Sequence, residues 1–231
     1  MMRLTRLILA AAMVVAMLPA RSAFAADDLQ TVLHKLDTAS ANFRTTSADF
    51  EFDTVMTVPI FDKDVQKGTV YYKRDAKNSQ MAAHISEANG HPVPKVVVSS
   101  GGTIKLYEQK VNQVTILTKF SQYQDWFMLG FGASGKELEQ KWDIKYLGSE
   151  KIDGINTDKL EMIAKDPAVR KNVVKLTLWM DSDRGVSVRQ LFDQGQGQTR
   201  TCHYTNIKVN QALPSDAFTF KTDKQTRTVT Q

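Results

Sequence analysis

The sequence contains very little cysteine and has no stretch rich in proline or glycine that would separate domains. Cys202 is the single cysteine among 231 residues, so an intramolecular disulfide is excluded. In an oxidising compartment a lone cysteine is expected to be a buried and unreactive thiol. Without a linker or an internal repeat, the chain is expected to form one domain with a sizeable core.

The motifs of catalysis and of metal binding are also missing. The four histidines lie far apart, without the H-x-H or H-E-x-x-H spacing of metal sites, and no G-x-S-x-G motif occurs. Residues 130–136 have the glycine spacing of a phosphate-binding loop, but Glu137 replaces the Ser or Thr that binds magnesium. We therefore predict that the protein is not an enzyme and that it uses no cofactor and no metal.

Residues 1–25 have the three features of a cleaved signal peptide. Arg3 and Arg6 precede an apolar run that is too short to span a bilayer, and a small-x-small cleavage site ends at Ala25. The predicted mature chain, residues 26–231, is a single periplasmic domain and a monomer. Removing Arg3, Arg6 and Arg21 leaves 27 basic against 25 acidic residues, a net charge of +2. This small charge gives no support for a nucleic-acid partner.

The mature part begins with a predicted amphipathic helix and continues with strands. Apolar residues recur at helical spacing over residues 28–43, and this face is expected to pack against a sheet. About ten or eleven strands follow, interrupted by a helix, a glycine loop and a second helix within residues 121–142. The pattern predicts a β-rich α+β fold: a single strongly curved antiparallel sheet, an incomplete barrel closed by helices around an apolar cavity.

The inner face of this sheet is predicted from the alternation of two strands. In residues 49–58 large apolar side chains alternate with polar ones, and in residues 68–74 Val70, Tyr72 and Arg74 share one face. A curled sheet with such a face is filled by helices, by a ligand or by both, and a fully packed core is the alternative. The residues predicted to line an acyl-binding cavity are Phe50, Phe52, Met56, Val70, Tyr72, Met81, Leu176 and Leu178.

Arg74 is unusual because its charge lies in register with apolar residues. A guanidinium group inside an apolar cavity is costly unless it is hydrogen-bonded. We expect Arg74 at the cavity mouth, bonded to backbone carbonyls of a covering helix or loop, where it would hold the empty cavity closed and promote release. The alternative is that Arg74, as the last residue of its strand, turns to water.

Five segments in order resemble the periplasmic lipoprotein carriers of the LolA type. The helix at residues 29–43 leads into Phe50-Glu-Phe52, and Gly68-x-Val70-x-Tyr72-Lys73-Arg74 looks like the family's glycine-to-arginine strand. The hairpin at residues 97–107, the strand Leu176-Thr-Leu-Trp179 and the closing segment Leu213 to Phe220 are similar to the later family segments.

The resemblance implies a carrier that ferries acylated lipoproteins from the inner to the outer membrane. Its implied partners are an inner-membrane release complex and an outer-membrane acceptor. Residues 152–160 resemble the broader group of lipoprotein-sorting proteins, so the cargo could instead be another amphiphile, such as a glycolipid. A lipid- or glycolipid-binding sensor or scaffold that regulates a periplasmic partner is the alternative function.

Overall fold

The computed structural model of the chain describes residues 21–75, 79–118 and 129–231. These contain three helices, a short 3-10 helix (Gln109–Val111) and twelve strands. The helices are α1 (Arg21–Asn42), α2 (Gly135–Lys141) and α3 (Pro167–Arg170). The strands are β1 (Thr45–Met56), β2 (Asp62–Lys73), β3 (Gln80–Ala88), β4 (His91–Ser100), β5 (Thr103–Glu108), β6 (Gln113–Leu117), β7 (Trp142–Ile152), β8 (Ile155–Ala164), β9 (Lys175–Asp181), β10 (Val186–Gly195), β11 (Gln198–Val209) and β12 (Arg227–Thr230).

All twelve strands belong to one sheet, in the order β12-β6-β5-β4-β3-β2-β1-β11-β10-β9-β8-β7. Neighbouring strands are antiparallel except β12, which pairs with β6 in parallel. The first strand joins the two halves of the sheet, because β1 pairs with β2 on one side and with β11 on the other. β7 and β12 remain at the two edges, so the sheet is an open, incomplete barrel as predicted.

The helix α1 covers one part of the concave face. Its residues Val32, Leu33 and Leu36 are buried in the main core cluster, together with Leu160 and Leu176 of β8 and β9. These helix residues have the predicted spacing of three and four, which places them on one side of the helix. None of the helices in the described ranges is long and apolar enough to cross a membrane.

A glycine-containing loop at residues 129–134 joins this covering layer to the sheet. Phe131 is buried and forms a bridge with Val186, and the backbone N–H of Gly132 donates to Gly185 O at 2.8 Å. Gly132 has a φ of +69°, and a Cβ atom there would lie 2.3 Å from the ring of Phe43. Glycine is therefore required for both the backbone conformation and the close packing.

Glu137, which argued against a phosphate-binding loop, caps α2 instead. The Ser134 hydroxyl accepts a bond from the Glu137 N–H at 3.2 Å, and the Glu137 carboxylate accepts one from the Ser134 N–H at 2.9 Å. This reciprocal pair is a capping box, which satisfies two backbone donors at the start of a helix. The Ser-x-x-Glu spacing is the sequence signal that identifies it.

Several predicted boundaries differ from those of the structure. The first helix begins at Arg21 instead of residue 28, and the helix predicted to follow the glycine loop and include Trp142 ends at Lys141 because Trp142 begins β7. The helix predicted before the glycine loop, from residue 121 and including Leu129, lies outside the described ranges except for Leu129, which is part of a turn. The sequence did not predict β12, whose four residues are too few for a recognisable alternating pattern.

Candidate ligand-binding site

The register of the central strands produces an apolar wall on the concave face. Phe50 of β1 lies opposite Gly68 of β2 and Tyr204 of β11. Val70 of β2 lies opposite Ala83 of β3, which in turn lies opposite Val97 of β4. Residues directly opposite each other in an antiparallel pair point to the same face. The wall therefore continues across five strands.

This wall encloses a pocket of about 530 Å³. Most of the described lining side chains are apolar, and Arg200 is the single charged residue among them. They are Phe50, Phe52, Gln66, Val70, Met81, Ala82, Ala83, Ile85, Val97, Ser99, Ile104, Asn172, Val173, Gln190, Phe192, Gln194, Arg200, Cys202 and Tyr204. Ligand pockets in proteins commonly measure about 300–1,000 Å³ and are mostly apolar. The pocket is therefore suited to one apolar chain with a polar end.

Two titratable groups on the wall remain uncharged at neutral pH. Burial raises the pKa of the Cys202 thiol to about 12. Burial also raises the pKa of the Tyr204 hydroxyl well above its usual range. Both shifts have the same cause, because removing a group from water disfavours its charged form. The wall thus carries no thiolate or phenolate that would repel an acyl chain, and the thiol is expected to be unreactive.

A second cavity of about 1,060 Å³ lies nearer the helices but has a different lining. Tyr72, Leu129 and Phe131 form part of it, together with charged side chains. The charged lining residues are Arg74, Asp75, Glu137, Lys141, Lys165, Asp166 and Lys171. Sequestering an acyl chain among charged groups would require their desolvation, which is costly. The smaller apolar pocket is therefore the better candidate site, although the second cavity has twice its volume.

Four residues predicted to line an acyl cavity line the apolar pocket: Phe50, Phe52, Val70 and Met81. Tyr72 is buried on the same face but lines the larger cavity. The other three predicted residues do not line the apolar pocket. Leu176 and Leu178 are fully buried in the core beneath α1 and α2, so protein occupies the space beside them. Met56 ends β1 next to an exposed loop and is 37% exposed.

The guanidinium group of Arg74 lies just beyond the end of β2 and joins two covering segments. One nitrogen donates to Ser40 O of α1 at 2.9 Å and to the Ser40 hydroxyl at 3.0 Å. The other nitrogen donates to Gly132 O of the glycine loop. The group also lies 5.7 Å from the ring centroid of Phe43. The carbonyls at the end of a helix favour a cation there. The role of Arg74 in ligand release stays a prediction.

Residues of β10 and β11 complete the pocket, and the sequence did not identify them as part of it. Phe192 lies opposite Arg200, and Gln190 lies opposite Cys202. The buried amide of Gln190 donates to Leu129 O, which ties the glycine loop to the pocket wall. The sequence predicts both strands but not which of their faces lies inward. Their inner face became identifiable only through the pairing of β11 with β1.

No group of three or more His, Cys, Asp or Glu side chains that could hold a metal occurs within residues 21–75, 79–118 and 129–231. The fold and the pocket together define an open half-barrel with an apolar pocket on its concave face. The family described as outer membrane lipoprotein carrier protein LolA matches residues 88–221, which is more than half of the chain. The chain belongs to the LolA family. The matched range begins at the end of β3, so Phe50, Val70 and Arg74 precede it.

Solved structures share the fold at low sequence identity. An uncharacterized conserved protein from Thermus thermophilus has a TM-score of 0.56 and 11% identity, covering 88% of this chain and 99% of that chain. The crystal structure of MucB has a TM-score of 0.54 and 14% identity, covering 88% of this chain and 66% of MucB. The Pseudomonas aeruginosa MucA/MucB complex has a TM-score of 0.52 and 13% identity, covering 84% of this chain and 61% of that chain.

An uncharacterized protein of Methanocaldococcus jannaschii is 26% identical to this chain over 125 residues. These residues are 54% of this chain and 35% of the archaeal protein. The chain therefore spans about a third of the length of the relative that it matches.

Proposed function

We propose that this protein is a periplasmic carrier that binds an acyl chain of a lipoprotein in the apolar pocket and moves it through water between two membranes. The observation that carries this proposal is the pocket of about 530 Å³ on the concave face of a LolA-family sheet. Its walls combine Phe50, Phe52 and Val70 with uncharged Cys202 and Tyr204. This environment resembles the interior of a lipid layer more than water.

The energetics of desorption explain why a carrier is needed. Each methylene group that enters water costs about 0.8 kcal/mol, so a chain of about 16 carbons costs roughly 13 kcal/mol. Unassisted release of a triacylated protein from a membrane would be very slow. A pocket in a soluble domain removes this barrier, and the core residues under α1 limit its size so that binding stays reversible. We propose an inner-membrane release complex and an outer-membrane acceptor as partners.

An acylated peptide is expected to compete for the pocket, whereas the same peptide without its acyl chain is not. The measurement uses an apolar fluorescent probe, whose emission rises when the folded protein binds it. Addition of the acylated peptide should displace the probe, because both ligands gain from burying apolar surface. Failure of the native protein to bind the probe, or equal displacement by both peptides, would contradict the proposal.

A sensor or scaffold function is a second candidate, supported by the fold that this chain shares with MucB. The MucA/MucB complex has a protein of this fold bound to another protein. A sensor would bind the same acylated ligand but would not speed its passage between membranes. The carrier and the sensor would therefore both bind the acylated ligand, but only the carrier would accelerate its transfer between membranes.

The loop between β1 and β2 offers a place where the carrier could contact a bilayer. Val58, Ile60 and Phe61 are 61%, 76% and 67% exposed, and they follow one another closely in the chain. Thr57 N–H donates to Gly197 O at 2.9 Å, which holds the base of the loop against the β10–β11 turn. Contiguous exposed apolar side chains mark interaction surfaces. The two strands that the loop joins also form part of the pocket, because their residues Phe52 and Gln66 lie opposite each other and line it.

The paired substitutions Ile60→Ser and Phe61→Ser are expected to lower vesicle association about tenfold. Full burial of one such side chain is worth about 1.5–3 kcal/mol, and 1.4 kcal/mol corresponds to a factor of ten. Cosedimentation with lipid vesicles measures the effect. Leu147→Ser is the matched control, because Leu147 is an exposed apolar residue on the edge strand β7. Equal loss in the control and the loop variant would refute a specific role of the loop.

A further inference from the structure

Among the residues that the structure describes, Arg200 is the only one with a charged side chain that lines the apolar pocket. It lies on β11 between Phe192 of β10 and Thr54 of β1. Arg200 is exposed to water, so its charge stays at the rim of the pocket and needs no burial. An acyl chain lying along Phe192 and Phe52 would therefore end near a cation.

The guanidinium group of Arg200 has no hydrogen bond, ion pair or ring contact with any residue that the structure describes. Arg170 donates to backbone carbonyls and Arg184 forms an ion pair with Asp181, whereas the exposed Arg227 on the edge strand β12 also lacks a side-chain partner among the described residues. Among acidic residues, Asp64 lies on β2, two strands away from Arg200, and is opposite Thr54 of the intervening strand β1. Its two oxygens accept bonds from the side-chain amides of Gln66 and Asn89, at 3.0 and 2.9 Å. The positive charge of Arg200 is thus left for another partner.

A second polar group in the same corner of the pocket also lacks a partner. The side-chain oxygen of Gln194 is buried and accepts no hydrogen bond from a described residue. Its amide nitrogen donates to Asn172 O at 3.4 Å. The register places Gln194 beside Arg200, because Phe192 pairs with Arg200 and Gly195 pairs with Gln198. Buried polar atoms in native proteins nearly always have a partner.

We propose that Arg200 is the headgroup site of the pocket and binds the anionic group of a single-chain amphiphile. The ligand class is an acyl or alkyl chain that ends in a carboxylate or a phosphate. Its chain lies along Phe50, Phe52 and Phe192, and its anionic oxygens accept bonds from the guanidinium group. A hydroxyl on the headgroup would donate to the unpartnered oxygen of Gln194. This inference rests on the proposed binding of an acyl chain in the pocket and extends the ligands beyond lipoproteins, whose acyl chains end in uncharged ester and amide groups.

The planar guanidinium group suits this role because its paired N–H donors match the two oxygens of a carboxylate or a phosphate. Since Arg200 is accessible to water, its contribution is smaller than that of a buried ion pair. We expect an anionic headgroup to improve affinity by about fivefold. Increasing salt concentration should reduce this advantage, because exposed charges are screened.

The test compares hexadecanoate, hexadecyl phosphate and the neutral hexadecanol as competitors of an apolar fluorescent probe on the full mature chain. Both anions are expected to bind about fivefold more tightly than the alcohol. Arg200→Gln should remove the difference, whereas Arg200→Lys should keep part of it. Arg227→Gln is the matched control, since Arg227 is an exposed arginine on the edge strand β12 and should leave the preference unchanged. Thermal unfolding of each variant verifies the fold.

The outcomes separate this inference from the proposed function. Equal affinity for the alcohol and both anions, or a preference that survives in Arg200→Gln, would overturn the headgroup site while leaving the acyl pocket intact. If none of the three compounds displaces the probe, the acyl-binding function itself fails. Tighter binding of the phosphate would favour a single-chain ligand that ends in a phosphate, and tighter binding of the carboxylate would favour a fatty acid. Inorganic phosphate should not compete, and competition by it would overturn a site that requires a chain.

Discussion

Replacing Ala83 with tryptophan is expected to abolish probe and acyl-peptide binding while leaving the protein folded. Ala83 lies on the concave face of β3, between Val70 and Val97, and lines the apolar pocket. An indole ring at this position would occupy the volume that a ligand needs. We expect affinity for the probe to fall by at least about tenfold, which corresponds to 1.4 kcal/mol of lost ligand burial. Probe titration measures the effect.

The control for the added indole ring is Thr205→Trp on the opposite face of the sheet. Thr205 is exposed on β11 and lies opposite Asp49, away from the pocket. This variant should bind the probe as the wild type does. Thermal unfolding monitors the fold, since overpacking of a well-filled core costs about 1–3 kcal/mol. Full binding by a folded Ala83→Trp protein would show that the ligand lies elsewhere.

Replacing Arg74 with leucine is expected to slow ligand dissociation. The wild-type side chain links Ser40 of α1 to Gly132 of the glycine loop, and the same loop is bonded to Gln190 of the pocket wall. We expect ligand entry to displace this loop and so to weaken those bonds. Leucine keeps the bulk of the stem but removes the donors. The closed, empty state then loses stability relative to the bound state, by a coupling of about 1–3 kcal/mol, or about 5- to 150-fold in affinity. Stopped-flow displacement of the fluorescent probe measures the dissociation rate.

Arg44→Leu is the matched control because Arg44 also donates to carbonyls at the end of α1. Its acceptors, Ala41 O and Phe43 O, belong to the helix end itself and do not link it to the glycine loop. The control should dissociate from its ligand at the wild-type rate. Equal rates for Arg74→Leu and the wild type would leave Arg74 as a cap of α1 without a role in release.

Local patterns in the sequence predicted the type of fold well. The alternation in β1 and β2 identified the inner face correctly, and Val70 and Tyr72 are buried there. The spacing of Val32, Leu33 and Leu36 predicted the face of α1 that packs on the sheet. Both predictions rest on contacts within one element, where the period of the backbone determines which side chains lie together.

The position of the pocket could not be predicted in the same way. Leu176 and Leu178 face inward as expected, but only the placement of α1 and α2 reveals that protein already fills the space beside them. Arg200 and Phe192 became pocket residues through the pairing of β11 with β1, which lie about 150 residues apart in the chain. Such pairing depends on the whole sheet and leaves no local pattern.

The most direct test of the carrier proposal is the transfer of an acylated fluorescent peptide from donor vesicles to acceptor vesicles. The wild-type protein, added in amounts well below those of the peptide, should increase the transfer rate in proportion to its concentration. Ala83→Trp should leave transfer at its spontaneous rate, and Thr205→Trp should act like the wild type. Transfer that the wild-type protein does not accelerate, or that Ala83→Trp accelerates equally, would contradict a carrier that works through this pocket.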